Sequence, residues 1–440
     1  MSDRPQTERP RGPSSALRAP SPRERGKGQA SDTLVIGAGI VGICVAANLA
    51  EAGLSVTVLD RTGICEETSS GNAAALAFSD ILPLAQKGMM RNLPRWLADP
   101  LGPLSVPPAY LPRLAPWLWR FWRAGQGDPA PAIAAQASLM RLAETEWAGL
   151  MQRSGTLPML REDGSLELYE SDAEFAAAQP GWQARADHGI NFRHVEGDDL
   201  AALQPGLSPR FRRGTFVPGW KTVADPQMLG KAIWAHAERN GARFLRATVD
   251  GIDTASGDGP SVVLADGTRL AARRVLLCAG AWSHRLAAPL GDRIPLETER
   301  GYNTTLPRTA FDVRRQLISS GHGFVITPLD TGLRVGGAVE LGGLDRAPNF
   351  ARSRAMLEKA QRFLPGLDPR GGREWMGYRP SLPDSLPVIG TAARSPAVHY
   401  AFGHGHLGLT QAAATGRLVR DLVLGDAPAI ELSPFAPGRF

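Results

Sequence analysis

Apolar positions along this chain change period several times, and each change predicts an element. Residues 34–36 (LVI) form a short, wholly apolar run, as a strand covered on both faces does. Residues 40–52 are apolar but alanine-rich and too long for a strand; they predict a helix closed by Gly53. A second apolar run at 55–59 predicts another strand. Helical spacing returns over 131–154, with Leu139, Leu142, Trp147 and Leu150 inward. A strand at 165–169 and helices near 172–188 and 197–203 follow. Asp225-Pro226 opens a helix at 227–240 that Asn240-Gly241 ends, leading into strands at 243–249, 261–264 and 274–280. Between 294 and 340 polar and apolar residues alternate about an Asp330-Thr331-Gly332 turn, which predicts a separate antiparallel sheet. A helix near 350–363, a strand at 399–402 and a last helix at 410–424 complete the pattern.

The first three elements enclose a motif. Gly37, Gly39 and Gly42 give G-x-G-x-x-G between strand and helix, and the second strand delivers Asp60. In such a unit the first glycine permits the turn, the second lets a pyrophosphate approach the backbone, and the third lets helix and strand pack closely. Asp60 suits a ribose 2′-hydroxyl rather than a 2′-phosphate. This context makes the motif a dinucleotide site and leaves open whether FAD or NAD fills it. After Asp60, residues 67–74 (ETSSGNAA) offer hydroxyls and backbone N–H groups that can line a ligand or merely cap a helix. More than 360 residues later a second glycine-rich turn, 403–408 (GHGHLG), opens the last helix, where free N–H groups favour negative charge. Two such turns suit one extended ligand better than two ligands. The fold class is therefore α/β: a Rossmann-like domain joined to a second, α+β domain built on an antiparallel sheet.

Composition narrows the function. The formal charge of +6 falls mostly on residues 1–30, which hold six arginines and one lysine against three acids. That Pro/Ser/Arg-rich tail predicts disorder and lacks the apolar centre of a secretory signal. The near-neutral remainder is no nucleic-acid binder. Cys44, Cys65 and Cys278 are far apart, form neither a disulfide framework nor a zinc site, and suit a reducing cytoplasm. No uninterrupted apolar run reaches 18 residues. Residues 93–123 hold Trp96, Trp117, Trp119 and Trp122 among seven prolines. The prolines argue against one long helix. The segment reads as cover over a site, with peripheral contact at the inner face of the cytoplasmic membrane as the alternative.

With LVIGAGIVG, ETSSGNAA, the segment ending WLWRFWRAG, and GYRPSLPDSLPVIG followed by FGHGHLGLT, residues 31–440 resemble the D-amino-acid oxidase/glycine oxidase superfamily of FAD enzymes. Within it, the bacterial D-amino-acid dehydrogenases are most similar, including those acting on cis-4-hydroxy-D-proline. The resemblance implies a discontinuous FAD-binding domain (31–85, 225–285 and 384–440) and a substrate domain (86–224 and 286–383). It places FAD phosphates on Gly37, Gly39, Ile40 and Gly42, and the adenosine ribose on Asp60, with Arg61 in the cofactor set. Thr68, Ser69, Asn72 and Ala73 run along the pyrophosphate and ring system. Val249, Ala279, Gly280 and Trp282 supply further contacts. Gly405, Leu407, Gly408, Leu409 and Thr410 meet the flavin's pyrimidine edge.

Arg379 takes the position of the superfamily's carboxylate-clamping arginine, and its planar fork suits that task. Tyr302 is a second candidate contact for carboxylate or amine, with core packing as the alternative. His322, His404 and His406 are candidate pocket histidines or structural ones. Sarcosine oxidases attach flavin through a cysteine where this chain has Gly377, which implies non-covalent FAD. Their carboxylate-binding lysine falls near Leu407, and their flavin-facing lysine, linked to oxygen use, near Arg334. These departures favour a dehydrogenase that oxidises a D-amino or D-imino acid and passes electrons to a quinone or another carrier. An O2-using oxidase of glycine- or sarcosine-type substrates and a non-catalytic electron-transfer flavoprotein stay open.

Overall fold

The computed structural model describes residues 32–87, 104–255 and 259–440. The expectations for the 1–30 tail and for Trp96 fall outside the described residues.

The strand Thr33–Ile36 is buried at every position. It lies between Val56–Asp60 and Arg274–Leu277, both parallel to it, with Val35 facing Val58 on one side and Leu276 on the other. Burial on both faces is why these strands carry apolar residues without alternation. The six-stranded sheet runs Arg243–Arg246, Val56–Asp60, Thr33–Ile36, Arg274–Leu277, Ser395–Phe402, Val388–Ala392; only its last pair is antiparallel. The helix Ile40–Glu51 buries ten of its twelve residues, most of them small. The last helix, Gly408–Leu424, crosses it at Gly416, where an added Cβ would lie 2.7 Å from the Cys44 carbonyl oxygen. This close crossing needs glycine.

The expected strand at 243–249 stops early. Arg246 pairs with Asp60, the last residue of its partner, and beyond it that sheet offers no ladder. Val249–Asp253 instead pairs antiparallel with Ser261–Leu264 in a three-stranded sheet with Arg269–Ala271. Cys44, Cys65 and Cys278 are free and buried, and burial pushes the Cys65 and Cys278 thiols up to about 12.

A nine-stranded sheet forms the second layer. Along it run Arg373–Ser381, Glu297–Leu306, Gly332–Leu341, Phe324–Leu329, Gln316–Ser319, Ser165–Tyr169, Arg213–Val217 and Arg193–Glu196, with Leu104–Ser105 attached to Gly332–Leu341. The sheet is mixed rather than purely antiparallel, since Gln316–Ser319 runs parallel to Ser165–Tyr169 and Leu104–Ser105 parallel to its neighbour. Arg373–Ser381 contains glycine and proline and has weak intrinsic strand character. An unbroken antiparallel register with Glu297–Leu306, from Glu297 opposite Ser381 to Thr305 opposite Arg373, holds it.

Among its described residues the tryptophan-rich segment is not one long helix: Leu104–Ser105 is a strand, and an α-helix begins only at Leu111. Leu111–Ala124 is a helix despite Pro112 and Pro116. Pro112 sits in the first turn, where its missing N–H leaves no bond unmade. Leu114 and Trp117 are buried, and Trp117 stacks on Phe121 at 5.1 Å. Trp119 and Trp122 remain 54% and 45% exposed. No helix among the described residues is long and apolar enough to cross a membrane.

Candidate active site

A cavity of about 1510 Å³ lies where the parallel sheet, the two glycine turns and the mixed sheet meet. Sites for one small ligand typically span roughly 300–1,000 Å³, so this one has room for a cofactor and a substrate together.

At the first turn the three glycines do different work. Gly37 has φ +108°, and a Cβ there would lie 2.4 Å from the Cys278 carbonyl oxygen. A Cβ on Gly42 would lie 2.0 Å from the Gly37 carbonyl oxygen. A Cβ on Gly39 would meet only Ser69 Oγ, at 3.4 Å. Gly39 therefore borders space that belongs to a ligand, whereas Gly42 serves helix packing and does not line the cavity, contrary to its expected phosphate contact. The helix behind this turn has no N-cap side chain bond and no acid in its first turn, so its N-terminal partial charge is left for an anion.

Asp60 is fixed at the end of its strand. One carboxylate oxygen accepts the Ala38 N–H at 2.8 Å, and the other accepts from the Thr62 N–H and hydroxyl. The Ser69 hydroxyl accepts the Ile40 N–H at 3.0 Å, and Thr68 bonds the Tyr378 backbone in both directions at 3.0 Å. These bonds tie residues 68–72 to the turn on one side and to Arg373–Ser381 on the other. Arg61 pairs with Glu67 at 2.9 Å and covers the Trp282 ring at 4.0 Å. Ile40, Asn72, Ala73, Val249, Ala279 and Gly280 also line the cavity.

The second turn reaches the same cavity from the other side. Gly403 and Gly405 have φ +85° and +54°, and the Gly405 N–H donates to the Pro380 carbonyl at 2.8 Å. That bond fixes the turn beside Arg379. Leu407, Gly408, Leu409 and Thr410 line the cavity. The Trp147 indole N–H donates to the Leu409 and Thr410 carbonyls, and the Thr410 hydroxyl accepts the Ala77 N–H at 3.0 Å. The following helix again has no acid in its first turn. An open glycine cradle, two uncompensated helix N-termini and Asp60 around one elongated space fit a dinucleotide cofactor with a ring system.

The far end of the cavity is charged. Arg379 is half-buried and, among the described residues, donates only to the Ala338 carbonyl, at 3.3 Å. Burial lowers its pKa, partly opposed by Glu299. Its guanidinium lies over Gly301, where a Cβ would come within 2.5 Å of Cζ. His406 bonds Asp80 at 3.2 Å; burial disfavours its charge, but the Asp80 carboxylate outweighs that and raises its pKa. His404 lines the cavity and bonds Thr415 at 2.9 Å, and burial drops its pKa to about 3, so its ring stays neutral. His322 lies elsewhere, paired with Glu170 at 2.7 Å. Arg334 donates to Thr305 and to the Asn72 carbonyl, and burial lowers it to about 10.

Tyr302 departs from its expected role. It borders the cavity, but its hydroxyl donates to Glu340 and accepts the Asn349 N–H at 3.1 Å, within a buried group that includes Arg300. That commitment removes it as a substrate contact. Glu299 escaped the sequence reading. Its signal was a charged residue in a strand whose other positions are almost all buried. Trp375 escaped too; it fills the space between Gly71 and Gly377, whose added Cβ atoms would lie 2.3 and 2.1 Å from its ring.

Residues 32–422 match the family model described as FAD dependent oxidoreductase. A D-amino-acid oxidase from Bradyrhizobium diazoefficiens is 34% identical over 92% of this chain and 98% of its own length. A D-amino acid dehydrogenase from the same organism is 30% identical over the same shares. Glycine oxidase from Geobacillus kaustophilus superposes with a TM-score of 0.72 at 21% identity, covering 93% of this chain and 99% of that one. L-proline dehydrogenase from P. horikoshii does so with a TM-score of 0.72 at 20% identity, covering 94% and 98%. With the cofactor cradle and the family match agreeing, this chain belongs to the DAO family of FAD-dependent oxidoreductases.

Proposed function

We propose that the protein oxidises the Cα–N bond of a D-amino or D-imino acid, such as D-alanine or cis-4-hydroxy-D-proline, and passes the electrons to a quinone or another carrier. The observation that carries this reading is Arg379: a half-buried cation lining the cavity's charged end, with one long hydrogen bond and no acid at ion-pair distance among the described residues. A partly desolvated, unpaired guanidinium is under-satisfied, and a substrate carboxylate bound through two charge-assisted bonds relieves it. Bound FAD supplies the hydride acceptor, its N5. The protein's share is orientation: Arg379, steadied over Gly301, anchors the carboxylate so that Cα meets the flavin ring. Gly377, packed under Trp375, offers no side chain for a flavin link, which supports non-covalent cofactor.

Arg334 supports the dehydrogenase form, because its Nε and one Nη are already held by Thr305 and Asn72. The relative named D-amino-acid oxidase favours O2 as a second reading. Exposed Trp119 and Trp122 beside Arg120 and Arg123 support meeting the carrier at a membrane surface.

Arg379→Ala is expected to lower kcat/KM on amino acids by about 10²- to 10⁴-fold, the worth of two charge-assisted bonds, while flavin stays bound. Unchanged kinetics in that variant would remove the carboxylate assignment. Dye reduction compared with oxygen consumption separates the two acceptors.

A further inference from the structure

The carboxylate reading leaves a second charge at the cavity's far end without a task. Glu299 and Arg379 stand directly opposite each other on adjacent antiparallel strands, so both side chains leave the sheet on one face. Arg379 does not fold onto Glu299. It leans across Gly301, two residues along, which keeps cation and anion side by side without an ion pair. Both line the cavity. Glu299 is only 8% exposed, and its carboxylate accepts no hydrogen bond among the described residues. Its other neighbours are already committed: His406 to Asp80 at 3.2 Å, and Arg300 to Glu340 at 3.0 Å. Two opposite charges held apart, each short of a contact partner, match a ligand that carries both signs on neighbouring atoms.

We propose that Glu299 is a specificity-determining residue that binds the substrate nitrogen. It holds the α-ammonium, or the ring ammonium of an imino acid, while Arg379 holds the carboxylate. The inference rests on the amino-acid reading above and goes beyond it by assigning the choice of nitrogen to one side chain. An ammonium gives Glu299 a charge-assisted bond. A hydroxyl in the same place gives a weaker one and leaves the buried Glu299 carboxylate uncompensated. The site thus selects zwitterions over 2-hydroxy acids of the same shape. Gripping carboxylate and nitrogen separately also fixes which face of Cα is presented.

The test uses flavin-loaded protein under anaerobic conditions and reads Kd from perturbation of flavin absorption, or from the concentration dependence of flavin reduction where reduction follows. The probes are D-alanine against D-lactate and D-proline against tetrahydro-2-furoate; each pair differs only in nitrogen against oxygen at Cα. The wild type is expected to prefer the nitrogen member. Glu299→Gln should cut that preference by about tenfold or more while the oxygen member binds as before or tighter. Glu299→Asp keeps the charge and should keep part of the preference. Equal weakening of both members, or an undiminished preference in Glu299→Gln, overturns the inference. The underlying reading is judged apart from it. If Arg379→Ala leaves all four affinities unchanged, or no nitrogen probe reduces the wild-type flavin, oxidation of amino acids falls, and the paired affinities still decide the role of Glu299.

Discussion

The two ends of the cavity are built on opposite plans. Around Gly37–Gly39 the ligand meets mainly backbone, and the polar side chains there are bonded to the protein: Asp60 to Ala38 and Thr62, Ser69 to Ile40. Around Arg379 and Glu299 the ligand meets charged side chains that have almost no bonds to the protein. The first end is finished before anything binds and accepts one kind of molecule. The second is electrostatically incomplete, and its missing partners describe the substrate. A change at the first end should therefore act on folding and cofactor, and a change at the second on selectivity.

The hardest break in that contrast is Gly42→Val. Its Cβ would have to enter the Gly37 carbonyl, so the expected loss is about 3 kcal/mol or more of stability together with most of the bound flavin. Flavin-to-protein absorbance after purification and thermal melting check both. Next comes Gly301→Val, which displaces the Arg379 guanidinium. Steady-state kinetics should show about a 100-fold fall in kcat/KM with normal flavin content; loss of flavin instead would join the two ends that we separate. Gly39→Ala should act in the opposite sense. The protein alone has room for the methyl group, so the apoprotein melts as before, while FAD affinity by titration falls about tenfold.

The smallest effect concerns pH. Burial alone would raise the Asp80 carboxyl, but His406 and Arg185 bring it net below its ordinary value, while Asp80 raises His406. The depressed acid contributes stability above its unfolded pKa and loses it as pH falls through the folded one. The raised histidine contributes below its unfolded pKa and loses it as pH rises through the folded one. Their pair therefore stabilises most between the acid range and neutrality. Because both side chains are about one-third exposed or less, 34% and 26%, the gain is under about 1 kcal/mol. Melting of His406→Gln against wild type across pH should show a gap in that window that closes on both sides.

The same contrast explains what the sequence made legible. The glycine turn, Asp60 and the buried strands depend on local spacing, and local spacing survives in one dimension. Even the second turn could be paired with the first, because both offer helix N-termini to one ligand. Arg379 was reachable through likeness to relatives, but its setting was not. Gly301 under its guanidinium, Glu299 beside it and the Pro380 carbonyl holding Gly405 all follow from the register of Arg373–Ser381 on Glu297–Leu306. Neither strand announces that register. Tyr302 shows the reverse failure. Its place in the strand suggested a substrate contact, yet Glu340, which claims its hydroxyl, comes from a strand 38 residues on. The helix at Leu111–Ala124 was hidden by counting prolines without asking which of them needed an N–H.

The strand Arg274–Leu277 lies between Thr33–Ile36 and Ser395–Phe402, so one of its edges is completed by the last tenth of the chain. During synthesis that edge emerges roughly ten seconds before its partner at ordinary elongation rates. For that interval an apolar strand stands unpaired and half of the cofactor cradle does not exist. FAD can therefore lock the sheet only once residues 395–408 have joined it, and by binding that finished state alone it adds its binding free energy to the stability of the completed sheet.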